Sequence, residues 1–177
     1  MQFAALAVVI FALGAVMVPV LRRTYQTSLT LGCQQQLTRI FAGVRSYALS
    51  FGGWPPSEGV RAGAGSAGGW YAQSEPFLDT GGSSGRPGSL WNCPAGGPYV
   101  GNAGIFQSPT RTLGAFKLKR EIGVVADGKP GGGRVGDTTG IAWRHRGGAN
   151  VVFLDGRVQW ILKSNSRWMR KHWDKPL

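Results

Sequence analysis

MQFAALAVVIFALGAVMVPVLRRTYQTSLTLGCQQQLTRIFAGVRSYALSF, residues 1–51, is the stretch on which the fold turns. Met1 to Val20 carries no charged side chain and a single clearly polar one, Gln2. Twenty residues rise about 30 Å as an α-helix, the thickness of a bilayer's hydrocarbon core. After Arg22-Arg23 the apolar pattern changes from continuous to periodic. Leu29, Cys33, Leu37, Ile40, Val44, Tyr47 and Phe51 recur every three or four positions, one face of a helix. Gln34, Gln35, Thr38, Arg45 and Ser46 fall on the other faces. Pro19 predicts a kink. Gly52-Gly53 ends the helix, and Trp54-Pro55-Pro56 prevents its restart. The spacing predicts one helix from Met1 to Phe51, apolar all round in its first half and amphipathic in its second.

The remainder of the 177 residues is enough for one small domain. Of 29 glycines, 15 lie between Gly52 and Gly104, which predicts a loop-rich middle. That middle still holds Trp70, Tyr71, Phe77, Leu78, Leu90, Trp91 and Tyr99. Free linkers are poor in aromatics, so these residues read as anchors for a long loop. Net charge is +12, from 20 Lys and Arg against 8 Asp and Glu, and favours anionic partners. An acidic neighbouring subunit would account for it equally well. Cys33 and Cys93 match no zinc spacing. They read either as one disulfide or as two buried thiols, and the disulfide would stabilise by about 4 kcal/mol on chain-entropy grounds.

Strands are expected late. Gly123 to Ala126 is short, apolar and followed by Asp127-Gly128, and Ile141 to Trp143 is a candidate start of another strand. Lys129 to Gly136 reads as an exposed loop. Val151 to Leu154, Asp155-Gly156, then Arg157 to Ile161 predicts a β-hairpin with a type I′ turn at Asp155-Gly156, Val158 and Trp160 facing inward. Ser164 or Ser166 is positioned to cap a final helical turn. A helix followed by a small antiparallel sheet is an α+β arrangement. Three units follow: 1–23 an apolar transmembrane or filament-core helix, 24–53 an amphipathic helix, and 54–177 a headpiece, loop-rich over 54–104.

WRHRGGANVVFLDGRVQWI places nine residues between His145 and Asp155-Gly156. This resembles the H-x9-D-G signature of prepilin-like proteins abundant in planctomycetes. LAVVIFALGAVMVPVLRRT resembles the apolar start of the same family, and CQQQLTRIFAGVRSYALSFGGWPP its C-x-x-x-L…Y…G-x-x-P-P segment. Asn92-Cys93-Pro94 with Tyr99 and Asn102 is similar to its mid-chain element, and Val124 to Asp127 to its strand ending in Asp. The matches are in order over nearly the whole chain.

The resemblance implies a type IV pilin-like or pseudopilin fold whose N-terminal helix is first an inner-membrane anchor and then a filament core. It implies that Met1, Ala5, Leu6, Val9, Ile10, Leu13, Val16, Pro19 and Leu21 contribute to that core, and that His145, Asn150, Asp155 and Gly156 form a structural hairpin. Implied partners are copies of the subunit or its relatives, a prepilin peptidase and the assembly machinery. The headpiece is placed outside the cytoplasm, where Cys33 and Cys93 make sense as a pair; Arg22-Arg23 alone would argue for the opposite orientation. Ala5 stands where most pilins carry Glu, a feature of minor or tip-located subunits. No basic leader precedes Met1, which reads as a processed chain, a misassigned start or a chain that is not processed, and the missing n-region and A-x-A site argue against a cleaved signal peptide. Ala4, Ala5, Ala7 and Gly14 would permit close helix packing.

Catalytic signals are weak. His145 with Asp155, and with Asp127 as a further partner, is the one group with metal-binding or acid–base character. It lacks a nucleophile, and a structural role at the hairpin accounts for it. Ser66, Ser83 and Ser84 lie in no esterase-like elbow. Lys129 to Arg134 lacks phosphate-loop spacing. Neither an enzymatic role nor a cofactor is expected. Arg144, Arg146, Arg167, Arg170 and Lys171, interleaved with Trp168 and Trp173, offer a nucleic-acid surface through phosphate contacts and stacking, set against a merely solvated basic face.

Overall fold

A computed structural model describes residues 2–56, 69–78, 90–106, 121–130 and 135–174, with side chains described from residue 11 onward. Helix α1, Gln2–Phe51, is continuous through Pro19. Gly52 follows it at φ +73°, the left-handed conformation that closes a helix and favours glycine. Thr24, Thr27 and Thr30 each donate their hydroxyl to the carbonyl four residues back, at 3.1, 2.9 and 2.9 Å. The polar middle of α1 is thus partly satisfied within the helix.

Burial along α1 begins near Leu29. Cys33, Leu37, Ile40, Phe41, Val44 and Ala48 are buried, as the predicted stripe requires. Phe51 departs from it. It is 62 % exposed, with ring contacts to Tyr47 and Phe77 at 4.6 and 6.0 Å between centroids. From Phe11 to Ser28 the helix is exposed on every side. Among the described residues no helix is long and apolar enough to cross a membrane. The side chains of Ala5, Leu6, Val9 and Ile10, and all of Met1, lie outside the described residues.

The headpiece carries a five-stranded sheet in the order β3-β1-β2-β4-β5. Its strands are β1 Tyr99–Asn102, β2 Gly123–Asp127, β3 Val135–Gly136, β4 Gly148–Phe153 and β5 Val158–Leu162. The sheet is mixed rather than purely antiparallel. β1–β2, β2–β4 and β4–β5 are antiparallel, but β3 joins β1 in parallel. Val135-Gly136, expected in an exposed loop, supplies that edge. Ile141 makes one isolated bridge to Gly128 instead of opening a strand.

β1, β2 and β4 are buried along their whole length because both faces of the sheet are covered. One face meets α1: Tyr99, Val124, Val125 and Val152 join Cys33, Leu37, Ile40 and Val44 in one apolar cluster. The other face meets helix α3, Ser166–Trp173: Val100, Ala126, Ala149, Val151, Phe153 and Ile161 pack with Met169 and Trp173. Asn165 precedes α3 without a side-chain capping bond, so neither predicted serine cap forms.

The loop aromatics act as anchors. Helix α2, Trp70–Ser74, was not evident in the sequence and brings Trp70 against Phe106 at 4.7 Å and Trp91 at 5.5 Å. Trp54, Trp70, Leu78, Trp91 and Tyr99 are all buried. Leu78 sits on Gly43 of α1, where a Cβ would clash with its side chain. Ser66, Ser83, Ser84 and residues 131–134 lie outside the described residues.

Candidate functional site

The residues that set His145 in place start with a turn. His145 and Gly148 exchange both backbone bonds, at 2.9 and 3.0 Å, around Arg146 at φ +54° and Gly147 at φ +80°. Two central residues at positive φ make this the type I′ turn of the chain. It lies at Arg146-Gly147, not at Asp155-Gly156. At the latter the loop is longer: Gly156 N donates to Phe153 O at 2.8 Å, Phe153 N to Arg157 O at 2.9 Å, and only Gly156 has positive φ, +85°. That is a type I turn closed by a glycine bulge, with Leu154 outside the strand. The β4–β5 hairpin itself forms as expected, with Val152 opposite Val158. Val158 and Trp160 are only half-buried, since β5 is an edge strand.

Asp155 serves its own turn, accepting from Arg157 N at 3.0 Å with its other oxygen 3.8 Å from Arg157 Nε. His145 stands before the first residue of β4 and Asp155 after its last, so a six-residue strand, about 20 Å, separates them. The two do not form a pair. Asp127, at the end of β2, is the carboxylate that meets His145: Oδ2 lies 3.3 Å from Nε2, with both side chains fully buried. The same Oδ2 accepts from Asn150 N at 2.6 Å. Asp127 Oδ1 is buried with no hydrogen-bond partner among the described residues.

Helix α1 closes the site from above. Thr30 Oγ1 lies 3.3 Å from His145 Nδ1, and Gln34 Nε2 donates to Asn150 Oδ1 at 3.1 Å. Tyr99 Oη donates to Gln36 Oε1 at 2.8 Å. Cys33 and Cys93 are joined as a disulfide across a sequence separation of 60. Cys93 Sγ is 3.3 Å from His145 Nε2, so the bridge lies against the imidazole. Trp160 Nε1 donates to His145 O at 2.7 Å and its ring covers Gly148, where no side chain would fit. Four segments distant in sequence therefore meet in one buried polar knot beneath α1. The motif residues His145 and Asn150 belong to it; Asp155 and Gly156 shape the far end of the hairpin.

Burial also sets the electrostatics. It pushes the Tyr99 phenol far above its ordinary range, the Asp127 carboxylate adds to the shift, and Arg144 opposes it. Burial lowers the Arg144 guanidinium from its usual value, against the raising influence of Asp127 and Tyr99. Arg144 donates to Gly128 O and lies flat over Gly97, which is at φ +90°. It is half-buried in the headpiece, unlike its exposed neighbour Arg146. Arg146 is exposed at its turn, and Arg167, Arg170 and Lys171 are exposed on α3, opposite buried Met169 and Trp173. Trp173 is held by its Nε1 bond to Gly136 O at 3.0 Å. Trp168 is 38 % exposed and packs on His172 at 4.1 Å.

The cluster has two chemical capacities. It fixes α1 to the sheet through side-chain hydrogen bonds and the disulfide, and its Cys, His and Asp atoms are of metal-binding type. It offers no exposed nucleophile or substrate cleft at His145, which is fully buried. Asp127 was legible only as a further partner of His145; its place at the end of a buried strand was the signal that could have promoted it over Asp155. Comparison of the chain with protein-family models, with curated proteins and with solved structures returns no match.

Proposed function

We propose that the chain is a structural subunit of a type IV pilus-like filament or a type II secretion-like pseudopilus. It is held in the inner membrane before assembly, with its headpiece outside the cytoplasm, and joins its neighbours through the first part of α1. One observation carries this reading. Phe11, Leu13, Val16 and Leu21 stand in solvent on α1, 81, 61, 65 and 59 % exposed, while the same helix is buried in the headpiece from about Leu29 onward. Burying each such side chain would contribute roughly 1.5–3 kcal/mol. An apolar rod of this kind is stable in water only when something covers it. A bilayer covers it in one state, and a bundle of identical rods in the other. The buried knot at His145 then has a mechanical role, clamping the headpiece to the rod.

The test is removal of residues 1–20. The full chain should need detergent or form helical fibres, and the shortened chain should be a soluble monomer with the headpiece folded. Fibres of the shortened chain would overturn the reading.

A second reading, polyanion binding by a tip-located subunit, has its own observation: Arg167, Arg170 and Lys171 are solvent-facing on one side of α3. Reversing all three charges should weaken DNA binding and reduce the salt slope by roughly 2 to 3 units. Unchanged binding would reject that surface.

A further inference from the structure

We propose that the reduced chain holds one zinc ion between Cys33, Cys93, Asp127 and His145, at the place the disulfide occupies in the oxidised chain. One ligand atom from each of these residues lies within 4.8 Å of all the others, and all four residues are buried. Two thiolates, an imidazole and a carboxylate make a closed tetrahedral set of the type that structural zinc takes.

The surroundings fit a ligand site rather than a chance cluster. Thr30 Oγ1 gives its hydrogen to Gln26 O at 2.9 Å, which leaves its lone pairs for His145 Nδ1–H at 3.3 Å. A bound ion would select that tautomer, with Nε2, 3.3 Å from both Cys93 Sγ and Asp127 Oδ2, as the ligand atom. A metal-bound histidine is held in the same way, by a hydrogen bond on its far nitrogen. Asp127 is oriented by Asn150 N at 2.6 Å and keeps a buried oxygen, Oδ1, without a hydrogen-bond partner among the described residues. A buried carboxyl oxygen without a hydrogen bond is costly, and a divalent ion would satisfy it.

The exchange balances with a dithiol as reductant. The dithiol attacks the Cys33–Cys93 bond, is oxidised to its own disulfide, and leaves its two protons on the two Sγ atoms. Zinc binding then releases those two protons to solvent as both sulfurs become thiolates. A small-molecule disulfide as oxidant reverses the sequence: it takes two electrons from the thiolates and two protons from solvent, leaves as a dithiol, and the ion is released as the Cys33–Cys93 bond re-forms. In either state α1 at Cys33 is tied to the loop at Cys93, so the headpiece can be clamped to its helix before the disulfide forms.

The experiment uses the full chain in mild detergent. It is reduced with dithiothreitol, desalted without oxygen and titrated with Co2+ as a spectroscopic stand-in for zinc. One Co2+ per chain is expected, with a thiolate-to-cobalt charge-transfer band and tetrahedral d–d absorption, displaced by Zn2+ and absent from the oxidised chain. His145→Gln, kept folded by its disulfide before reduction, should weaken binding at least ~10-fold. Absence of the charge-transfer band, or equal affinity in His145→Gln and Asp127→Asn, would overturn the proposal. Should those variants fail to fold, zinc-edge X-ray absorption of the reduced wild-type chain decides. Two sulfurs with one imidazole supports the site, and a shell without imidazole or with four sulfurs refutes it.

Discussion

Residues 11–28 and residues 29–48 are successive stretches of one helix, and both are rich in apolar side chains, yet they meet different surroundings. The second stretch repeats its apolar residues every three or four positions, and one face of it is buried against the sheet. The first runs apolar residues together up to Leu21 and buries none of them. A periodic stripe calls for a one-sided partner, which the same chain supplies. A continuous run calls for apolar surroundings on all sides, which the described residues of one copy do not supply. The boundary lies close to the polar knot, where Thr30, Cys33 and Gln34 reach His145, Cys93 and Asn150. A disulfide and side-chain hydrogen bonds thus sit where the helix leaves the headpiece, and would bear load passed from rod to headpiece.

Substitutions in the two stretches should separate accordingly. The largest effect is expected from the tie itself. Replacing Cys33 and Cys93 by Ala should cost about 4 kcal/mol, since the loop closed is 60 residues long, read by chemical denaturation of the headpiece in metal-free buffer. A loss under ~1 kcal/mol would mean that packing alone holds α1 in place. Leu37→Ala, in the fully buried stripe, should cost about 3 kcal/mol and leave a cavity.

Tyr99→Phe should cost about 1 kcal/mol through its bond to Gln36, and it carries a pH signature. Burial raises the Tyr99 phenol, so the folded chain keeps its proton after the unfolded chain begins to lose it. Its contribution is complete below about pH 10, the ordinary tyrosine value, and is lost as pH rises toward the folded value. Tyr99→Phe should flatten the alkaline fall in stability. An identical alkaline slope would remove Tyr99 as its source. The smallest effect on stability belongs to the first stretch. Leu13→Ser with Leu21→Ser should move headpiece stability by less than ~0.5 kcal/mol while weakening assembly. A large loss of stability would erase the distinction between the two stretches.

How much of this was legible in the sequence follows the same physics. α1 was legible because its stripe, and the glycine that ends it, are local signals. β2 and the β4–β5 hairpin were legible as short apolar runs. β1 was not: Tyr-Val-Gly-Asn shows no alternation, because both of its faces are covered. β3 is two residues long and has no pattern to read. The type I′ turn was assigned to Asp155-Gly156, where the residue types favour it. The chain instead places Arg146 at φ +54°, a conformation arginine seldom adopts, because that turn aims His145 into the knot. Cys33 and Cys93 left disulfide and thiols open, and spacing cannot decide between them. The choice of Asp127 over Asp155 depends on strand register, which no local pattern encodes. Arg144 looked like its exposed neighbour Arg146; only the fold of the Gly97 loop over it separates the two.

The central claim is that the stretch the headpiece leaves bare is the one that neighbours cover. Electron cryomicroscopy of fibres assembled from the full chain tests it most directly. A core of packed α1 segments enclosing Phe11 to Leu21, with headpieces outside and attached from about Leu29 onward, is the predicted result. Fibres held together by headpieces alone, with residues 11–28 exposed to solvent, would contradict it.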